Sequence, residues 1–168
     1  MIKFKAMEKE MKNTKIEPYV PGDENEISQL IKSVYDDFVS IDYSVEGNNT
    51  FYEWIKPENI KSRQREERNM FVARSDGKIV GVIEIRNNNH ISLLFVDKLY
   101  QNRGIAGRLI SSSIDESLKR DLSMDTYEVN SSPYAIPIYS RLGFVAIGGI
   151  LEKSGIKYQP MILKIKNK

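Results

Sequence analysis

Apolar residues recur at helical spacing from Glu24 to Val39, where Ile27, Leu30, Ile31, Val34 and Phe38 would share one face. Asp23, just ahead of them, is a residue type that caps helix starts. Residues 40–56 lose the period, and Gly47-Asn48-Asn49 is expected to break any long element there. A second helix is expected from Lys56-Pro57-Glu58, because proline suits a first turn and glutamate the positive end of the dipole. It would pass Ile60 and run toward Arg68. Then the period shortens. Met70–Ala73 predicts a strand, Asp76-Gly77 a tight hairpin turn, and the almost continuous apolar run Ile79–Ile85 a strand covered on both faces. Asn87-Asn88-Asn89 marks the next turn and His90–Val96 the next strand, which completes an antiparallel meander.

After Val96 the chain runs through a glycine-containing loop into a helix marked by Ile105, Leu109, Ile110, Ile114 and Leu118. Thr126–Val129 follows as a strand, so strand, helix and strand form a unit with parallel pairing. Ser132-Pro133 reads as the start of a short helix that ends at Gly143. Phe144–Leu151 and Met161–Ile165 are expected as final strands joined around Ser154-Gly155. This order predicts one mixed α/β domain over residues 14–168, with a mostly antiparallel central sheet, a βαβ unit and flanking helices. Residues 1–13, charged and rich in methionine, are expected to form a loosely ordered extension or a short extra helix.

Composition then narrows the function. The 168 residues hold 25 Lys and Arg against 23 Asp and Glu, a net charge of +2 that argues against a dedicated nucleic-acid binder. With no cysteine there are no disulfides, thiolate metal sites or thiol nucleophiles, and a single histidine cannot build a multi-histidine metal site. The N-terminus is too charged for the apolar core of a signal peptide, and no apolar run approaches the roughly 20 residues that span a bilayer. A soluble cytoplasmic protein is the expectation, with no metal and no membrane or nucleic-acid partner. A homodimer is left open.

Gln101-Asn102-Arg103-Gly104-Ile105-Ala106-Gly107-Arg108 is the most informative segment. A helix start exposes unpaired amides and partial positive charge, and small residues there let a backbone approach an anion. Arg103 and Arg108 would flank it with fixed charge, and Gln101 could bridge loop and ligand. The segment has the makings of a diphosphate cradle, yet it lacks the P-loop and dinucleotide fingerprints. Gly104-Ile-Ala-Gly107 also fits the short loop of KH RNA-binding domains, and a glycine turn that only packs closely is the plainer alternative.

The loop and a second motif together resemble the GNAT superfamily of N-acetyltransferases, in particular its small bacterial-type members. Phe95 to Ala106 matches that superfamily's acetyl-CoA motif, a strand followed by Q/R-x-x-G-x-G/A opening a helix. Val129-Asn130, then Ile138-Tyr139-Ser-Arg-Leu-Gly143-Phe144, matches a second signature in the right order. The resemblance covers about Ile16 to Lys164, with Lys98 standing where many members have proline. It implies acetyl-CoA as co-substrate and direct transfer to a primary amine, whether small molecule, polyamine or peptide. Asn102 and the amides from Arg103 through Ile105, Ala106 and Gly107 to Arg108 would take the diphosphate. Phe95 and Val96 would pair with the pantetheine arm, and Asn130 would hydrogen-bond it. Tyr139 would be the general acid, since a phenol stays protonated at neutral pH; the alternative is an aromatic that only packs. Tyr134 is expected to pack or to wall the pocket.

A base is harder to assign. Glu84 interrupts the apolar strand, and a buried carboxylate must be paired or have an altered pKa. His90 titrates in the right range, and a held water could serve instead. No basic residue lies between Lys32 and Lys56, an interval holding Asp36, Asp37, Asp42, Glu46, Glu53 and many aromatics. A cationic acceptor drawn by that segment is the expectation, set against the reading that its acids are solvated and its aromatics core. A non-catalytic acyl-CoA sensor of the same fold and a KH-like RNA-binding module remain as competing functions.

Overall fold

The computed structural model describes residues 13–64 and 68–165. The expectation for the N-terminal extension therefore lies, Asn13 aside, outside the described residues. A short edge strand β1 (Lys15–Pro18) leads into helix α1 (Glu24–Phe38), a 3-10 turn at Ser40–Asp42, and helices α2 (Val45–Trp54) and α3 (Pro57–Arg63). The meander follows as β2 (Arg68–Ser75), β3 (Lys78–Arg86) and β4 (His90–Val96). Helix α4 (Ile105–Arg120), β5 (Thr126–Ser131), helix α5 (Ile136–Arg141), β6 (Val145–Ala146), β7 (Leu151–Lys153) and β8 (Ile156–Lys164) complete the domain.

The sheet runs β1-β2-β3-β4-β5-β8-β6, with β7 paired to β8. Only β4 and β5 run parallel among these pairs. The expected two-sided burial of β3 is observed, and it divides the core in two. On one face Ile79, Val82 and Leu93 meet Ile27, Leu30, Ile31 and Val34 of α1. On the other, Val80, Ile83 and Ile85 meet Ile105, Leu109 and Ile110 of α4. Burying each such side chain stabilises the fold by about 1.5–3 kcal/mol. The meander is set by its turns. Asp76 and Gly77 have φ of 48° and 80°, and Asn87 and Asn88 have φ of 50° and 64°, the left-handed geometry that reverses adjacent strands.

Several expectations are corrected. Residues 40–56 are not irregular, because α2 runs through Gly47. Its start is capped by Ser44, whose hydroxyl oxygen accepts from Gly47 N at 3.0 Å. Gly47 is there for a close approach: a Cβ at this position would lie 2.5 Å from the Gly155 carbonyl oxygen. Asp23 makes no cap bond; its carboxylate instead accepts from Arg74 Nη2 at 3.0 and 3.1 Å. Helix α3 stops at Arg63, and Arg63 and Gln64 donate to Glu84 of β3. Ser132 does not cap a helix either, since a 3-10 turn at Pro133–Ala135 precedes α5.

The expected strand Phe144–Leu151 is split by Ile147–Ile150 into β6 and β7, and β8 begins at Ile156 rather than Met161. Partners decide this, because the polar residues Lys157, Tyr158 and Gln159 are held by pairing with β7 and β5. Strand β1 carries no strand pattern of its own and is fixed by antiparallel pairing with β2.

Candidate active site

Strands β4 and β5 pair only at His90–Glu128 and Ile91–Val129. Beyond these residues they separate, and a cleft of about 680 Å³ opens between them. Ser92 to Val96 line one wall and Val129 to Ser132 the other, while Gln101, Asn102 and the first turn of α4 close the head. Among the described residues, the β5-facing backbone of Ser92–Phe95 has no strand partner. The cleft thus offers main-chain donors and acceptors to an extended ligand arm, in the manner of an added strand.

The head is built by backbone geometry. Asn102 has φ of 59° and Gly104 φ of 76°, two left-handed positions that curl the loop into α4. Asparagine and glycine are the residues that adopt this conformation readily. Gly104 occupies the cap position and has no side chain to bond the helix start, so among the described residues the amides of Ile105, Ala106 and Gly107 keep the donor capacity of an uncapped helix. A Cβ at Gly107 would meet only Leu142 Cδ2, at 3.5 Å. The fold itself would therefore accept an alanine there, and the bare position leaves room on the cleft side.

The structure assembles most of the expected residues. Phe95, Val96, Gln101, Asn102, Gly104, Ile105, Ala106, Gly107, Asn130 and Tyr139 all line the cleft, and Tyr134 forms part of its wall. Two arginines differ from expectation. Arg108 donates through Nη2 to Thr14 O at 2.7 Å, anchoring the start of the described chain, and Arg103 lies over the Tyr100 ring at 5.1 Å. Neither lines the cleft, whose basic lining residue is Arg141. Gln101 bridges differently too. Its Nε2 donates to Val96 O at 3.0 Å and ties the loop to the strand end, which engages that carbonyl.

Tyr139 sits on α5 with 5% of its surface exposed. The turn at Gly143 returns Phe144 onto it, edge to face at 5.2 Å, which explains the spacing of Tyr and Phe in the second motif. Burial pushes the phenol above its ordinary range. It is therefore fully protonated at neutral pH and able to donate a proton within a desolvated cleft.

Neither candidate base is brought to the cleft. Glu84 is fully buried and accepts from Arg63 Nε at 3.0 and 3.1 Å, Arg68 Nη1 at 2.9 Å and Gln64 Nε2 at 2.6 Å. The buried carboxylate is thus paired with two arginines. Arg63 also donates to Trp54 O at 2.6 Å, so Glu84 ties α2 and α3 to the sheet. His90 Nδ1 lies 3.5 Å from Glu128 Oε2 at the root of the splay. Burial first, and then Arg86, lower its pKa, against the opposing pull of Glu128.

The acidic segment is spent elsewhere as well. Asp36 pairs with Lys32 and accepts from Tyr52, Asp37 pairs with Lys98, and Glu53 pairs with Lys56. None of these acids, nor Asp42 or Glu46, lines the cleft. What the same helices do contribute is Val34, Tyr35, Val39, Tyr43 and Phe51, with Tyr35 stacked on Phe51 at 4.0 Å. The aromatic segment was expected to meet the acceptor, and of its rings Tyr35, Tyr43 and Phe51 reach the cleft; Val34, Val39 and Arg141 were not expected there. The signal available for Arg141 was its place two residues after the cleft tyrosine on the same short helix.

The sequence model of the family described as Acetyltransferase (GNAT) domain matches residues 39–165. Among curated proteins, the N-alpha-acetyltransferase MAK3 of Arabidopsis thaliana is 34% identical over 83 residues, covering 45% of this chain and 44% of that protein. The match thus spans under half the length of that relative. A GCN5-related N-acetyltransferase from Rhodopseudomonas palustris superposes with a TM-score of 0.77 at 19% identity, covering 91% of this chain and 96% of that one. The PaiA N-acetyltransferase from Thermoplasma acidophilum, solved with coenzyme A, gives 0.74 at 16% identity over 90% and 99% of the two chains. At these identities the structural likeness establishes the fold.

Proposed function

Since the chain belongs to the GNAT acetyltransferase family, we propose that it transfers the acetyl group of acetyl-CoA to a primary amine, directly, with both substrates in the cleft. The observation that carries this is the meeting, in one cleft, of an uncapped helix start, an unpaired strand edge and Tyr139. An N-alpha-acetyltransferase among the relatives and coenzyme A in a fold neighbour support it. The diphosphate would accept from the amides of Ile105, Ala106 and Gly107, with Asn102 at the loop and Arg141 as the cleft's cation. The pantetheine arm would lie along Ser92–Phe95, opposite Asn130.

In the chemical step the amine nitrogen attacks the thioester carbonyl, forming C–N and placing charge on oxygen. Collapse breaks C–S and leaves the electron pair on sulfur. Tyr139 donates its proton to that sulfur and is reprotonated from solvent, while the ammonium proton leaves to water. A phenol above pKa 10 is a weak donor to an ordinary thiolate near 8.5. The apolar cleft raises the basicity of the thiolate as well as that of the phenolate, because it desolvates both anions, and so narrows the mismatch.

The test is acetyl-CoA binding by calorimetry, followed by thiol release with a panel of amines. Binding together with amine-dependent release is expected. Binding with no release for any amine would favour the sensor reading, and RNA binding without acetyl-CoA binding the KH-like one.

A further inference from the structure

Resting on the transferase reading, we infer that the acceptor is an amine of low basicity joined to a bulky apolar group, typified by the α-amine of a residue such as phenylalanine or leucine, rather than a polycation. The acceptor end of the cleft is walled by Val34, Val39, Phe51, Leu93 and Phe95, with the rings of Tyr35 and Tyr43. The wall is preset. Tyr35 OH donates to Asn48 Oδ1 at 2.6 Å, and Asn48 Nδ2 donates to Ser40 O at 3.0 Å, locking α1, the following turn and α2 together.

Such a wall rewards an apolar side chain and penalises a charged one that must shed its water. Of the acids that could have greeted a cation, Asp36, Asp37, Glu53 and Glu84 are held in ion pairs with Lys32, Lys98, Lys56, Arg63 and Arg68, and Asp42 and Glu46 do not line the cleft. The titratable groups that do line the cleft among the described residues are Tyr35, Tyr43, Tyr100, Tyr134, Tyr139 and Arg141. None of these is a carboxylate or an imidazole. The amine must then arrive neutral from solution, and here basicity decides. At about pH 7.4 an α-amine of pKa near 7.8 is roughly 30% neutral and an alkylamine near 10.4 about 0.1%, a difference of roughly 300-fold in competent substrate.

The experiment measures thiol release from acetyl-CoA at about pH 7.4 with phenylalanine amide, phenylalanine-led and glycine-led tetrapeptides, and spermidine. The phenylalanine compounds should exceed the glycine peptide in kcat/KM by roughly 10-fold or more, and spermidine by roughly 100-fold or more. Comparable rates for the amide and its peptide would point to a free small molecule; a strong preference for the peptide would point to a polypeptide N-terminus. The kcat/KM profile should rise with pH to a plateau at each amine's own pKa. Phe51→Ala should raise KM for phenylalanine amide about tenfold with acetyl-CoA affinity unchanged, and Val39→Ala serves as the second variant if the first does not fold. Preference for spermidine, one apparent pKa shared by all amines, or unchanged KM in both variants would overturn the inference and leave the transferase reading standing. No release with any amine would remove both.

Discussion

At one end of the cleft a single continuous loop, Gln101 to Arg108, presents main-chain amides at a helix start. At the other end Val34, Tyr35, Val39, Tyr43 and Phe51 present side chains gathered from two helices and the turn between them. In the proposed reading the first end would recognise a constant group by backbone geometry, which needs little more than small residues and left-handed positions at Asn102 and Gly104. The second would recognise a variable group by the shape and polarity of side chains. Backbone recognition is local in sequence and can stay fixed while the other end changes, so one scaffold can serve many acceptors.

The severest break in this comparison comes where the two ends meet. Tyr139→Phe keeps the ring against Phe144 and removes the proton donor, so kcat should fall about 10²–10⁴-fold with acetyl-CoA affinity and thermal stability close to wild type. A tyrosine that only packs would tolerate the change. Because burial raises this pKa, the proton is retained to higher pH, and wild-type kcat should show no alkaline loss from Tyr139 up to about pH 10. Wild-type kcat in the Phe variant, with chemistry rate-limiting, would take Tyr139 out of the mechanism.

Glu84→Gln probes the support beneath the acceptor end. Removing the carboxylate leaves Arg63 and Arg68 short of their buried partner, and stability should fall by about 3–5 kcal/mol. The amine KM should rise as α2 and α3 loosen, while acetyl-CoA affinity holds. If Glu84 were the base, kcat would collapse in a protein of nearly normal melting temperature, and that pairing of results would reject the structural role.

Gly107→Ala probes the other end alone. Alanine at a helical glycine should stabilise the fold by up to about 1 kcal/mol, and the structure has space for the Cβ beside Leu142. Its methyl group nevertheless crowds the diphosphate position, so acetyl-CoA affinity should drop roughly tenfold with amine selectivity unchanged. A higher melting temperature with unaltered affinity, read by calorimetry, would move the cradle elsewhere.

The smallest effect belongs to His90, at the root of the splay. Its folded pKa lies below the unfolded value near 6.5. The stabilisation from holding it neutral is therefore present above about pH 6.5 and is lost as pH falls from there toward the lowered folded value. His90→Gln should flatten the melting temperature between about pH 7 and 5. An equally steep slope in that variant would assign the acid sensitivity to other groups.

The meander, the βαβ unit and the loop were legible in the sequence because their determinants are local. Asp76-Gly77 and Asn87-Asn88 fix the turns, two-sided burial makes Ile79–Ile85 apolar throughout, and Asn102 with Gly104 commits the loop to its curl. Gly47-Asn48-Asn49 reads as a breaker by propensity, yet it forms a helix because Ser44 caps it and the Gly155 backbone fills the space that a side chain would need. Nothing in the run of residues 34–54 separates an aromatic that lines a cleft from one that packs a core. Nor does sequence distinguish a base from an ion-pair partner at Glu84, because the partners lie 16 to 21 positions away and converge only on folding. The loop end of the cleft, made of backbone conformation, was thus determined by residue type and order. The apolar wall of the cleft, the engagement of Arg108 with Thr14 and the absence of the acids of residues 36–53 from the cleft lining were decided by tertiary packing, which alone sets the environment in which a side chain's chemistry is expressed.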